Sequence, residues 1–221
     1  IGWHVTGAVP VRSGYTGRLP GDGSSGQDWT GFVPYDSLPN IMDPQEGWIR
    51  TANYRPLGRE TGRPLSYAWC SPYRHQRIAD ALAGLSAPGI DDFRRLQMDV
   101  HSPQADKVLP LLLAHTFTQR AAVEAAHILA EWDREVTAES PGAAVFEVFL
   151  VQLERELLES ALGDDLVLYL NARMYGIVDE ILERQDSPFW GDGNTRGRPP
   201  AELKIEKALV RAMDFCAARM G

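Results

Sequence analysis

The sequence predicts an α+β fold that is mainly helical, and the difference in composition on either side of Pro72 is the first reason. Residues 1–72 hold 11 of the 20 glycines and 8 of the 15 prolines, a density typical of loops and short strands. After Pro72, apolar side chains recur at helical spacing. No repeat of fixed period emerges, which argues against a helical solenoid. We therefore divide the chain into a strand and loop segment, residues 1–72, and a helical region, residues 73–221.

The first segment contains several short pieces separated by breakers. Residues 1–11 are predicted to be one extended stretch that Pro10 closes, and residues 29–35 a short apolar strand that Pro34 ends. Residues 40–44 are predicted to form a turn. A buried strand is predicted over residues 48–53, with Asn53 at its end.

Asn53 can have a chemical role at that position. An amide N–H held at the end of a strand can point at a developing negative charge, which is what a donor of an oxyanion hole does. The alternative interpretation is an Asx turn ahead of Pro56, because Asn is common before turns. The residues alone leave both interpretations open.

About six or seven helices are predicted for the second region from apolar periodicity and end signals. Ser102 suits an N-cap and Pro103 suits the first helical position, whereas Pro110 predicts a kink or a restart. The predicted helices cover residues 73–85, a stretch from a cap at Asp91 or Asp92 to Val100, a stretch from Ser102 past Pro110, and residues 120–132, 141–162, 166–182 and 201–220.

The helix that starts at Pro141 shows the clearest core-facing pattern. Its apolar residues from Phe146 to Leu157 follow the i, i+3, i+4 spacing of a buried side. The acidic cluster that overlaps its end is predicted to be a solvated face. That cluster consists of Glu154, Glu156, Glu159, Asp164 and Asp165.

Composition excludes some classes of function. The net charge of −8 argues against a nucleic-acid partner, and the most apolar window, Val108–Ala114, is too short to span a membrane. Cys70 and Cys216 are too few for a disulfide framework or a zinc cage, so each is predicted to be a small buried residue. A single bridge between them stays open for an exported protein. The spacing of the histidines does not indicate a metal site.

A series of short stretches, in a fixed order, resembles the large subunit of the penicillin acylase family. The members of this family are N-terminal-nucleophile amidohydrolases. The resemblance covers most of the chain. It depends on Ile1-Gly2-Trp3, Pro10-Val11-Arg12, Trp29-Thr30-Gly31-Phe32-Val33-Pro34-Tyr35, Asp43-Pro44-Gln45-Glu46-Gly47, Thr51-Ala52-Asn53, Arg55-Pro56, Pro72-Tyr73-Arg74-His75-Gln76-Arg77-Ile78 and Leu96-Gln97-Met98-Asp99.

This resemblance implies an amide-bond hydrolase with a four-layer αββα core. The chain would be the C-terminal part of the large subunit, and residues 1–72 would belong to that core. The family's nucleophile is a Ser at the N-terminus of the large subunit, whose own α-amino group serves as the base. Ile1 stands at the start of this chain, so we expect the nucleophile to lie outside it and the isolated chain to be inactive.

Two residues match site positions of the family. Asn53 aligns with the Asn whose side chain is an oxyanion donor, and Arg74 aligns with an Arg that lines the site. Arg74 would orient the α-amino group, the Asn or a substrate carboxylate; a surface ion pair is the alternative. The resemblance allows a calcium ion, with Asp43 and Glu60 as candidate ligands. Neither aligns securely with a ligand of the family, so no cofactor is assigned.

The expected partners are the rest of the chain's own precursor and a small-molecule amide. That precursor would supply the small subunit and the N-terminal part of the large subunit, and the resemblance implies a periplasmic or secreted protein. The sequence begins inside an apolar alternating stretch, which also predicts a piece of a longer polypeptide. The alternative is a helical interaction or scaffold module without catalytic chemistry.

Overall fold

The chain forms two compact units, Ile1–Pro88 and Gly89–Gly221. The computed structural model describes residues 1–55, 65–66, 69–167, 170, 177–184, 186–191 and 200–220. The first unit holds short strands and one helix, and the second is helical. The prediction of a mainly helical α+β fold is therefore confirmed.

The strands of the first unit form two small antiparallel pairs. β1 (Gly2–His4) pairs with β4 (Asn40–Met42), and β2 (Pro10–Arg12) pairs with β3 (Trp29–Phe32). The predicted turn over residues 40–44 is therefore wrong, because residues 40–42 gain a ladder partner that is distant in sequence. The single stretch over residues 1–11 is also divided. Pro10 begins β2 instead of closing β1, since the first position of a strand tolerates a missing N–H.

The strand predicted over residues 48–53 does not form. Residues 48–51 are irregular, and residues 52–54 form a bend in which Asn53 has a φ of 56°. Left-handed backbone cannot continue a strand, and Asn tolerates it better than most residues. In the described part of the unit, no strand pairs with this segment. Pro56, the expected chain break, lies outside the described residues.

Helix α1 completes the first unit, and six further helices are described in the second. Their bounds follow the apolar periodicity closely. They are α1 (Tyr73–Ala83), α2 (Ile90–Gln97), α3 (Pro103–Leu113), α4 (Arg120–Glu131), α5 (Pro141–Leu162), α6 (Ile177–Glu183) and α7 (Pro200–Met220). Residues 168–169 and 171–176 of the helix predicted over 166–182 lie outside the described residues.

The ends of these helices show which local predictions hold. The Ser102 side chain accepts from the backbone N–H of Ala105, so its predicted N-cap role is confirmed. Gly89, not Asp91 or Asp92, caps α2, while the Asp92 carboxylate accepts from the Gly89 N–H at 2.7 Å. Helix α3 continues through Pro110 without a restart.

The core of the second unit lies between α5 and its neighbours. Phe146, Phe149 and Leu153 of α5 are fully buried, as the stripe predicted. They belong to one apolar cluster with residues of α3, α4, α6 and α7. Burying a Phe or Leu side chain contributes about 1.5–3 kcal/mol, so this cluster is the main stabilising feature of the unit. Gly142 at the start of α5 lets the buried Trp132 ring approach the backbone closely.

Glu156 corrects the prediction of a solvated acidic face. Only 8% of this residue is exposed, and its carboxylate forms ion pairs with Lys207 and Arg211 of α7. The pair to Lys207 spans 2.7 Å from Nζ to Oε2. Lys204 of the same helix donates to the Glu156 backbone carbonyl. A buried carboxylate needs such partners, and these come from a part of the chain about 50 residues away.

Both cysteines are free thiols. Cys216 is buried in the apolar cluster, as predicted, and burial raises the pKa of its thiol. Cys70 is exposed, so the prediction that it is a small buried residue is wrong. It lies in the irregular segment just before α1. Across the described residues, none of the helices is both long and apolar enough to cross a membrane.

Candidate functional site

Asn53 and Arg74 lie side by side in the first unit. Asn53 is the central residue of an exposed bend, and the neighbouring Ala52 is buried. Arg74 is in the first turn of α1. The backbone at Asn53 is left-handed, with a φ of 56°, a conformation that Asn adopts more readily than most residues.

The guanidinium of Arg74 binds the bend at two points. Its Nη2 atom donates to the side-chain oxygen of Asn53 at 3.0 Å and to the carbonyl oxygen of Ala52 at 3.3 Å. In an Asx turn, the Asn53 side-chain oxygen would accept from the backbone N–H of Arg55. Here it accepts from Arg74 instead. Among the described residues, nothing accepts from the Asn53 amide nitrogen. That nitrogen is the end of the side chain that can donate to another group.

A backbone hydrogen bond fixes the same bend from a second side. The N–H of Cys70 donates to the carbonyl of Asn53 at 3.0 Å. Cys70 is close to the start of α1, so this bond and the Arg74 contact join the bend to the same part of the chain. Asn53 is therefore held through both its backbone and its side chain.

A second pair of contacts lies beside the first and was missed by the sequence analysis. Arg50 donates from Nε to Nε2 of His75 at 3.0 Å, and the rings of Tyr54 and His75 are 4.9 Å apart. The Arg50 guanidinium also lies 5.0 Å from the Trp48 ring centre, a cation–π distance. The available clue was position, because Arg50 and Tyr54 flank Asn53 and His75 follows Arg74.

The electrostatics of this group favour a neutral imidazole. Burial lowers the pKa of His75, and the positive charge of Arg50 lowers it further. Since Nε2 accepts from Arg50, the proton of the neutral ring is on Nδ1. The site therefore contains two fixed guanidinium charges, a neutral imidazole and a neutral amide donor. Such a set can stabilise negative charge without transferring a proton.

Of the two residues predicted as possible metal ligands, Asp43 is described by the structure. Asp43 is exposed and has a φ of 44°, and Glu60 lies outside the described residues. In the described ranges, no three His, Cys, Asp or Glu side chains come together as a group that could hold a metal ion.

The whole chain is similar to known proteins. The family model described as penicillin amidase matches residues 1–221. The acyl-homoserine lactone acylase QuiP of Pseudomonas aeruginosa is 32% identical over an alignment of 243 residues. The alignment covers 100% of this chain and 29% of that protein. The penicillin acylase 2 proenzyme of Pseudomonas sp. is 32% identical over 157 residues, which cover 70% of this chain and 20% of that protein. The chain thus spans less than a third of the length of these curated relatives.

The fold agrees with a solved structure of the same kind. A thermostable penicillin G acylase from Alcaligenes faecalis superposes with a TM-score of 0.71 and 15% sequence identity, covering 100% of this chain and 45% of that chain. The family model matches the full chain, and the resemblance predicted from the short stretches is confirmed. The chain belongs to the penicillin amidase family.

Proposed function

We propose that this chain is the C-terminal part of the large subunit of an amidohydrolase that cleaves a linear amide through an acyl-enzyme. The rest of the precursor would supply the small subunit and the N-terminal part of the large subunit. Together they would form an αββα core in the periplasm or outside the cell. The names of the relatives, acyl-homoserine lactone acylase and penicillin acylase, support acyl amides as the substrate class.

The proposed mechanism uses a serine from outside these residues. Its hydroxyl attacks the acyl carbon, and its own α-amino group takes the proton, so no histidine base is needed. The carbonyl oxygen becomes negatively charged in the tetrahedral intermediate, and the side-chain N–H of Asn53 donates to it. The intermediate collapses as the protonated α-amino group returns its proton to the leaving amine, and water then attacks the acyl-enzyme and releases the acid by the same steps.

One observation carries the assignment of Asn53. Arg74 engages the oxygen of the amide at 3.0 Å, and among the described residues nothing accepts from the nitrogen. If the amide were reversed, it would present an oxygen to the substrate and repel an oxyanion. Arg74 thus orients the donor in this proposal. The donor is neutral, so its hydrogen bond gains strength as negative charge develops in the transition state.

The test is an Asn53→Ala variant of the full-length protein. We expect kcat for a chromogenic phenylacetyl amide or an acyl-homoserine lactone to fall about 100- to 1000-fold, because one oxyanion donor is lost. KM should change little, since the interaction is made in the transition state. Asn40→Ala is the matched control. Asn40 is also exposed in the first unit, and its side chain donates to the nearby Leu38 carbonyl.

An unchanged kcat for Asn53→Ala would remove Asn53 from the mechanism. The 221-residue chain alone should not turn over either substrate, because no N-terminal Ser, Thr or Cys is present. Turnover by the chain alone would contradict the proposal. Lack of hydrolysis by the full-length protein, with any acyl amide, would favour the alternative of a helical scaffold module.

A further inference from the structure

We propose that His75 is a positioning residue that holds the Asn53 bend only in its neutral form, and that its protonation weakens the site. The inference rests on the proposed function of Asn53. His75 touches neither the substrate nor the reacting atoms in this proposal. It acts on them through the bend Ala52–Tyr54, which carries the amide donor.

The geometry shows how one helical turn could control the bend. Arg74 and His75 are consecutive in the first turn of α1, and both contact the segment around Asn53. Arg74 binds Asn53 itself, whereas His75 packs against the ring of Tyr54 on one side of Asn53 and accepts from Arg50 on the other side. The bend is therefore fixed at its centre and at both flanks. Loss of the flanking contacts would leave the Arg74 bond as the main side-chain restraint.

The contact between Arg50 and His75 depends on protonation. Nε2 of His75 can accept from Arg50 only while it carries no proton. Protonation turns this acceptor into a donor and places a second positive charge 3.0 Å from the Arg50 Nε. The bond is then replaced by repulsion between like charges.

The charged neighbours of His75 that the structure describes do not favour the protonated ring. From the described part of the bend segment, Arg50 donates to His75 and the ring of Tyr54 packs against it. On its own helix, the adjacent residues are Arg74 and Gln76. Burial and the Arg50 charge lower the pKa of His75, so the ring stays neutral at neutral pH. The contact is lost as the pH falls below that lowered pKa.

The expected functional effect is on kcat rather than KM. A displacement of about 1 Å in a positioned group costs up to about 100-fold in rate. Since Asn53 would act on the transition state, a loosened bend lowers kcat and leaves substrate binding nearly unchanged. A residue with a purely structural role would change the stability of the protein without changing the pH dependence of kcat.

The experiment compares pH profiles of kcat for the full-length protein and two variants of His75. His75→Ala removes both contacts, and we expect kcat at neutral pH to fall about 10- to 100-fold. His75→Gln keeps an acceptor but cannot be protonated, so it should recover most of kcat at neutral pH. It should also remove one protonation from the acid limb of the profile. The acid limb that remains in the His75→Gln profile comes from protonation of the α-amino base.

His127→Gln is the matched control, because His127 is an exposed helical histidine of the second unit. It should keep the wild-type profile, including both protonations. A wild-type kcat for His75→Ala, or a His75→Gln acid limb identical to that of the wild type, would overturn the inference. If instead Asn53→Ala keeps the wild-type kcat, the proposed function itself fails. Thermal unfolding of each variant separates a loss of folding from these outcomes.

Discussion

The guanidinium of Arg74 holds Asn53 by the oxygen of its side-chain amide, with Nη2 and Oδ1 3.0 Å apart. The same nitrogen lies 3.3 Å from the carbonyl oxygen of Ala52. One cation therefore sets both the path of the bend and the orientation of the amide. A planar guanidinium is suited to this because its donors lie in a fixed arrangement.

We predict that Arg74→Lys lowers kcat of the full-length protein about tenfold. An ammonium keeps the charge but not the planar set of donors, so it holds the amide oxygen less well. Losing a hydrogen bond to a charged group costs about 1.5 kcal/mol at the lower end of the usual range, which corresponds to about tenfold in rate. Steady-state kinetics on an acyl amide measure this.

Arg94→Lys is the control for that change, because Arg94 forms an exposed ion pair with Asp91. Its kcat should equal that of the wild type. Equal rates for Arg74→Lys and the wild type would show that the guanidinium geometry is not needed to orient Asn53.

A buried carboxylate of α7 caps the start of α4. Glu206 is 2% exposed, and its Oε1 accepts from the backbone N–H of Gln119 at 2.9 Å and from that of Thr118. The Gln119 side chain makes no capping bond of its own. A negative charge at the N-terminal end of a helix is stabilising, and here it comes from another helix.

We predict that Glu206→Gln lowers the free energy of unfolding by about 1.5 kcal/mol or more. The neutral amide can still accept one hydrogen bond, but it loses the charge-assisted part and the favourable interaction with the helix end. Urea unfolding of the 221-residue chain measures the change. Glu131→Gln, at an exposed position of α4, should stay within about 0.5 kcal/mol of the wild type. Equal losses in both variants would contradict this capping role.

The helices could be predicted from the sequence because their signals are local. The stripe from Phe146 to Leu157 and the N-cap at Ser102 depend on residues within a few turns of each other. Strand pairing is not local, so residues 40–42 could be recognised as β4 only together with β1. The burial of Glu156 has the same cause, since Lys207 and Arg211 lie in another helix.

The site could be predicted only in part. The resemblance named Asn53 and Arg74, and the structure brings them within hydrogen-bonding distance. Their roles stay predictions until the variants are measured. Arg50 and His75 were missed because their contact joins parts of the chain that are 25 residues apart. The left-handed backbone at Asn53 was missed because its apolar neighbours favour a strand. The sequence does not show whether such a strand has another strand to pair with.

Asp106 joins two segments of the second unit through contacts with His101 and Arg134. Its carboxylate lies 2.7 Å from Nε2 of His101 and 2.8 Å from Nη1 of Arg134. His101 also lies 3.1 Å from the carboxylate of Glu135, beside Arg134. Burial alone would raise the pKa of Asp106, but the hydrogen bonds and charges of His101 and Arg134 outweigh it and lower that pKa.

We predict that this network stabilises the chain above about pH 4 and is lost at lower pH. A carboxyl group with a lowered pKa in the folded state binds protons more readily when the chain is unfolded. Its contribution is therefore complete above the unfolded pKa of about 3.9 and disappears as the pH falls through the lower folded value.

Asp106→Asn should reduce the free energy of unfolding at pH 7, and the difference from the wild type should shrink below pH 4. Urea unfolding at pH 7, 5, 4 and 3 measures this, with Asp91→Asn as the control because the Asp91 ion pair is exposed. A difference between Asp106→Asn and the wild type that stays constant down to pH 3 would show that the ionised carboxylate is not what joins the two segments.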